Sequence, residues 1–332
     1  LGVRYERVRT DAGPVQGYSP AFSPADEKAF NAADRRRTDH HLDLAAVVRF
    51  TPSPTQTYEF GLAQKTRSPN LYERYAWSTH GMAMRMVNWA GDGNGYVGNL
   101  DLGPETARTV SAAADWHDEG RGRWHLRVSP YFTTIDDAVD AARCFSATPY
   151  GNACTAANLT RTNGFVYLRF VNQTARLYGI DVSGQLLLAR TDGAGTFTAG
   201  GTVSWLRGEN RTTGDSLYNM MPLNARLALE HRRGGWSGTV EAQFVDAKDR
   251  VSQVRNEVPT AGYGLVHLRA SYAWPKVRLD VGVENLFDRF YNAPLGGAYV
   301  GQGKTMSGTD VPWGVPVPGM GRSLYVAATV TL

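Results

Sequence analysis

The strongest constraint on this chain is a period of two. From His41 to Phe50, the residues Leu42, Leu44, Ala46, Val48 and Phe50 point one way, while His41, Asp43, Ala45 and Arg49 point the other. Alternation of this kind is the signature of a strand with one oily face. It recurs along the whole sequence. Leu1, Val3 and Tyr5 alternate with Arg4 and Glu6, and Tyr58, Phe60 and Leu62 with Glu59 and Gly61. Farther on, Tyr178, Ile180, Val182, Leu186 and Leu188 oppose Asp181, Ser183 and Gln185. Val277, Leu279, Val281 and Val283 oppose Arg278, Asp280 and Glu284, and Leu324, Val326, Ala328, Val330 and Leu332 oppose Ser323, Tyr325 and Thr329. The spacing predicts about twelve strands of roughly ten residues, an all-β fold.

Two all-β architectures alternate in this way, and the connections separate them. In a soluble sandwich the polar face meets water and loops are short at both ends. Here tight turns such as TPSPTQ, HDEGRG and RRGG alternate with long excursions. One short-turn end and one long-loop end is how transmembrane antiparallel barrels are built. Charge placement agrees, because Arg and Glu keep to the non-apolar parity, and a charge on the lipid side at mid-depth costs about 2–4 kcal/mol. Trp116, Trp124, Trp205, Trp236 and Trp274 fall near strand ends, where an interfacial girdle sits. A mean hydropathy of −0.35 leaves no apolar run of the roughly 18 residues a membrane helix needs. The 35 Lys and Arg are scattered among 31 Asp and Glu, and no basic run exceeds Arg35–Arg37. That argues against a nucleic-acid partner. The chain opens at Leu1 without a basic n-region or apolar h-region, as a processed chain or an N-terminally shortened one would.

Cys144 and Cys154 bracket FSATPYGNA. A short polar interval with Pro and Gly predicts a loop closed by a disulfide in an oxidising compartment, worth on the order of 2–3 kcal/mol. A metal pair is the alternative, without a nearby His or CxxC spacing to favour it.

The stretch from Lys65 to Ala107 is too long, Gly-rich and aromatic for a simple turn, and loops of that length are usually functional. Within it lies His80-Gly-Met82-Ala-Met84-Arg-Met86. On an extended chain these four residues point to one side, so His80 and Met82 can share one ion, with Met84 and Met86 as relay ligands. A thioether is a soft donor that favours Cu(I), and imidazole suits copper in either state. The alternative is packing of the Met row on Trp77, Trp89 and neighbouring tyrosines.

Four stretches together resemble the barrel of TonB-dependent outer-membrane receptors: Lys65–Ala76, Gly98–Ala107, Val283–Pro294 and Val317–Leu332. Gly103 departs from the family's usual Lys and Leu332 from its usual terminal aromatic. Such receptors have about 22 strands around an N-terminal plug, so the resemblance implies that residues 1–332 are the C-terminal part of the barrel domain, without the plug. His80-Gly-Met82 is similar to the His-x-Met motif of the copper branch, whose partner motif Cys-x-x-x-Met lies on the plug. The resemblance therefore implies copper as cargo, Met82 and His80 as ligands, outer-membrane lipid around the wall, and energy from the TonB complex. It implies a location in the outer membrane of a Gram-negative bacterium and no enzymatic activity. The alternatives are a receptor for a siderophore or another metal chelate, and a plugless porin or adhesin barrel.

Other groupings carry less. Asp136-Asp137 is similar to the acidic pairs of barrel hydrolases but has no base at a workable position, since His117 belongs to the turn end of its hairpin and His125 lies lower in the lumen. His40 and His41 with Asp39 and Asp43 are a candidate metal group, but only His41 and its even-spaced neighbours face one side. Gly91-Asp-Gly-Asn-Gly95 has the oxygens of a calcium loop but lacks the downstream bidentate Glu, and reads as a tight turn.

Overall fold

The structure, a computed structural model, describes residues 1–17, 24–87, 90–146, 153–298 and 314–331. Trp89, Met306 and Leu332 lie outside the described residues. The chain opens with β1 (Gly2–Thr10), α1 (Pro24–Ala32), β2 (Arg37–Ser53) and β3 (Gln56–Arg67). The long stretch that follows holds α2 (Leu71–Tyr75), α3 (Gly81–Met86) and β4 (Gly95–Val97). Next come β5 (Glu105–His117), β6 (Trp124–Arg143), α4 (Ala156–Thr160) and β7 (Tyr167–Thr191). The series continues with β8 (Gly195–Asn210), β9 (Asn224–Arg233), β10 (Trp236–Val245), β11 (Tyr263–Ala273), β12 (Val277–Glu284) and β13 (Ser323–Val330).

Every strand except β4 pairs antiparallel with its sequence neighbour, from β1 at one end of the order to β13 at the other. This is the wall of a transmembrane β-barrel, and its register explains the alternation. Val48 lies opposite Phe60, and Leu62 opposite Val110, so apolar residues line up across strands on one face. Leu62 is 60% exposed and Val110 57%, values that suit a face turned to lipid rather than water. On the other face Glu59 accepts from Arg49 at 2.8 Å and from Arg127 at 2.9 Å, and Arg269 donates to Glu284 at 3.0 Å. Charges on the inner side thus neutralise one another along the rungs.

The turn end is tight. At 118–123 the Asp118 carboxylate accepts the backbone N–H groups of Trp124 at 2.9 Å and Arg123 at 3.0 Å. These amide bonds, that of Trp124 foremost, hold its carboxyl below the usual range. The opposite end carries the long connections 11–36, 68–104, 144–166, 211–223, 246–262 and 285–322. One expectation needs correction. The strands are not uniformly near ten residues: β6 has 20 and β7 has 25, against 8 in β12 and β13. About 9–11 residues suffice to cross, so the β6–β7 hairpin stands well above the membrane. There its upper edge gains β4, the sheet's parallel partner, which sequence alternation over so few residues does not reveal.

Candidate functional site

The connection 68–104 folds into a canopy at the long-loop end, and short polar devices order it locally. Asn70 opens α2 with a capping box: its side chain accepts from Glu73 N while Glu73 accepts from Asn70 N. Glu73 also takes Arg67 at 2.8 Å, and Arg67 reaches Glu105 at 2.7 Å. Arg74, next along, is fully buried and forks onto Asp39 of β2 at 3.0 and 3.2 Å. It also donates to Leu102 O at 2.9 Å. Gly98 passes so close to this helix that a Cβ there would meet Ala76 N at 2.8 Å, which explains the glycine. The segment is latched to α1 as well, because Thr79 donates its N–H at 2.7 Å and its hydroxyl at 2.6 Å to Asp26.

Residues Gly81–Met86 form α3, so the extended ladder expected of His80, Met82, Met84 and Met86 does not exist. Ala, Met and Arg are good helix formers with no β-branched residue among them, and His80 supplies the cap, its Nδ1 accepting from Met82 N at 3.3 Å. A helix rotates successive residues by about 100°. Met84 consequently turns inward and is fully buried, while Met86 is 69% exposed and Met82 half-buried. Met82 and Met86, four apart, share one side of the helix. Met84 packs on Val97 and on the Cys144–Cys154 disulfide, both of whose cysteines are buried. Packing thus claims one of the methionines, against the disulfide rather than Trp77, whose ring lies 6.4 Å from Phe30.

The smaller groupings resolve into structure. His41 bonds Ser68 at 2.7 Å, His40 bonds Tyr5 at 2.7 Å, and Asp43 accepts from Thr66 at 2.8 Å. Asp136 pairs with Arg108, and Asp137 sits in the left-handed region at a bulge. Among the described residues no group of three or more His, Cys, Asp and Glu is arranged to hold a metal ion. Gly91–Gly95 makes a turn whose polar atoms are buried. Asp92 accepts from Asn94 at 3.0 Å and from the Tyr96 hydroxyl at 2.5 Å. Arg255, from the connection 246–262, reaches the Tyr96 hydroxyl at 3.2 Å and lies 2.7 Å from Asp140. Burial, reinforced by Asp92, pushes the Tyr96 phenol well above its usual range, so it remains a donor. Burial opposes the Arg255 charge, but Tyr96, Asp140 and Asp92 together hold the guanidinium protonated. The turn was legible as a turn; its partner, 159 residues away, was not.

Between α1, α2 and the disulfide lies a cleft of about 520 Å³. Phe30, Trp77 and Phe145 give it aromatic walls, and Arg37, Arg74 and Arg169 line it together with Asp26, Asp34 and Asp101. Arg74 Nε is buried and has no acceptor among the described residues. His80 and Met82 do not line this cleft.

The family model described as "TonB dependent receptor-like, beta-barrel" matches residues 1–286. Heme/hemopexin utilization protein C of Haemophilus influenzae (strain 86-028NP) is 27% identical over 265 residues, covering 76% of this chain and 35% of that protein. The chain therefore spans about a third of the length of the curated relatives it matches. Among solved structures, the copper transporter OprC superposes with a TM-score of 0.69 at 18% identity, over 90% of this chain and 40% of that one. The FrpB iron transporter of Neisseria meningitidis (F3-3 variant) gives 0.60 at 17% identity, over 90% and 40% of the two chains. A mutant of the ferric enterobactin receptor PfeA of Pseudomonas aeruginosa gives 0.58 at 16%, over 89% and 40%. Identities this low carry the fold and no more. With the match over residues 1–286 and an antiparallel wall to support it, the chain belongs to the TonB-dependent receptor-like β-barrel family, outer-membrane receptors and transporters rather than enzymes.

Proposed function

We propose that the chain is the C-terminal barrel portion of an energy-coupled outer-membrane importer, with copper as its cargo and His80 and Met82 as ligands. The observation that carries this reading is an imidazole and three thioethers gathered in the short segment His80–Met86 of an external connection. Met82 stands in the first turn beside the His80 cap, and Met86 follows on the same side. Burial of Met84 on the disulfide fixes the helix that presents them. Soft sulfur beside imidazole suits Cu(I). Met84 therefore has a supporting place and Met86 a relay place. By resemblance, the remaining ligands would come from the plug, and the TonB complex would release the ion inward by remodelling it.

Copper binding and uptake by the full-length receptor test this. Met82→Ala is expected to weaken Cu(I) binding by at least about tenfold, whereas unchanged uptake in that variant removes the copper reading.

A second reading rests on the aromatic, arginine-lined cleft and on the heme/hemopexin name of the sequence relative. There the cargo is a planar anionic iron chelate of the haem or siderophore class, stacked on Trp77 and met by Arg37 and Arg169. The two readings occupy different places, so one pair of variants separates them. Loss of haemin binding in Trp77→Ala, with Met82→Ala unaffected, selects the second.

A further inference from the structure

The Cys144–Cys154 disulfide closes a local loop, and a third sulfur lies against it from a distant part of the chain. Met84 of α3 is fully buried and packs against the two cysteines, which are 3% and 2% exposed. Val97, Ala153 and Tyr167 complete an apolar surround. The backbone holds the cysteines in place independently of the S–S bond. Cys144 N–H donates to Tyr167 O at 3.0 Å, Ser146 N–H to Cys154 O at 2.8 Å, and Ala153 N–H to Thr79 O at 2.9 Å. Opening the bond therefore leaves the two sulfurs as neighbours, on Cα atoms 4.9 Å apart.

The surroundings suit a thiolate. Asn158, buried in α4, donates from Nδ2 to Cys144 O at 3.0 Å and keeps that same group 3.8 Å from Cys144 Sγ. Tyr167 fixes its orientation, because Tyr167 O accepts from Nδ2 at 2.7 Å and Tyr167 N–H donates to Oδ1 at 2.8 Å. Arg85, the residue after Met84, donates to the Tyr167 hydroxyl at 2.8 Å. That puts a positive charge at the far end of the ring that packs on the cysteines. A nearby cation and an N–H directed at sulfur both favour thiolate over thiol. The disulfide also has an approach, since both cysteines form part of the wall of the cleft of about 520 Å³.

We propose that Cys144, Cys154 and Met84 form a redox-gated site for Cu(I), shut as the disulfide and opened to metal when a dithiol reduces it. One thiolate of the dithiol attacks a cysteine sulfur and the S–S bond breaks. The second thiol then closes on the mixed disulfide, leaving a cyclic disulfide and both cysteines as thiols. Two electrons pass from the dithiol to the protein, and its two protons end on the cysteines. Cu(I) next displaces one proton from each thiol to water and bonds Cys144 Sγ, Cys154 Sγ and Met84 Sδ, staying monovalent throughout. Two thiolates and a thioether are a soft set that selects Cu(I). The ion takes over the link between the cysteines, so the reduced canopy regains its order only when it holds copper. His80 and Met82 are no part of this site, which stands whether or not copper is the cargo.

The test uses full-length receptor in detergent under nitrogen, reduced with excess dithiothreitol, freed of it by gel filtration and offered Cu(I) in competition with bathocuproine disulfonate. The reduced receptor is expected to hold one more Cu(I) than the oxidised receptor, and the Cys144→Ser/Cys154→Ser variant to lose that ion. Met84→Leu keeps an apolar side chain of similar volume and is expected to weaken retention of the extra ion at least about tenfold. Met82→Ala is expected to leave the extra ion in place, so failure of the import reading and failure of this one are told apart. Amide exchange at Val97 and Tyr167 is expected to rise on reduction and to return to the oxidised level with Cu(I), a readout that needs no variant. Equal copper on reduced and oxidised receptor overturns the proposal, as does an extra ion kept by the double-serine variant or held as tightly by Met84→Leu. Failure of iodoacetamide to find new thiols in the folded, reduced receptor overturns it too, because the gate would then not open.

Discussion

The hairpin β2–β3 and the connection 68–104 that follows it adjoin in sequence, yet different interactions hold them. In the hairpin, ladder hydrogen bonds run from Phe50–Tyr58 to Leu44–Gln64, with Phe60 and Leu62 facing lipid and the Arg49–Glu59 pair facing inward. The connection has one three-residue strand, β4, and relies on buried polar groups and a disulfide. In the wall each residue's job follows from its parity, so the structure tolerates exchange within a face. In the canopy the buried polar side chains have particular distant partners, and removal of one leaves the other stranded in a dry site.

The sharpest way to break this contrast is at Arg74. It is 1% exposed and its partner Asp39 is 8% exposed, so Arg74→Ala strands a buried carboxylate at a cost of about 3–5 kcal/mol. The loss should stay local. Hydrogen exchange is expected to rise across 68–104 while the receptor keeps its heat-modifiable migration on gels. Loss of the folded barrel itself would mean that the canopy supports the wall, contrary to the contrast.

A lipid-facing charge probes the wall in turn. Val110→Arg sits in the apolar band, opposite Leu62 and Phe132. It is expected to destabilise the barrel by about 2–4 kcal/mol, read as a lower urea midpoint in lipid vesicles. Canopy exchange before unfolding should not change. A variant as stable as the parent would mean that this face does not meet hydrocarbon.

The same contrast marks where sequence reading works. Period two carries over any strand long enough to repeat, so the wall from β1 to β13 was legible from its own residues, as was the short-turn end. The disulfide pair could be named because its loop is local. By contrast, His80–Met86 shows alternate methionines that fit an extended chain and a helix equally, and helical propensity with the His80 cap decides for the helix. The inward turn of Met84 depends on Val97, Cys144 and Cys154, which only the fold brings near. The buried knot of Asp92, Tyr96 and Arg255 joins two connections that no local pattern relates. Likewise, the cleft exists because α1 is latched over Thr79, a contact spanning 53 residues.

The smallest expected effect makes the finest test, because it compares two methionines of one short helix. Met84 is fully buried on the disulfide, and Met86, two residues on, is 69% exposed. Met84→Ala is expected to cost about 2–3 kcal/mol of local stability, toward the low end for a buried Met because so short a helix can settle into the space. Met86→Ala should cost less than about 0.5 kcal/mol. Measured by amide exchange at Val97 and Tyr167, only the first should loosen the canopy. Copper binding then separates structure from ligation. If Met86→Ala weakens copper binding while exchange stays at the parent level, its sulfur acts on the ion directly. If copper binding falls only with Met84→Ala, and in step with exchange, the methionines of α3 serve the helix and His80 with Met82 must carry the cargo alone.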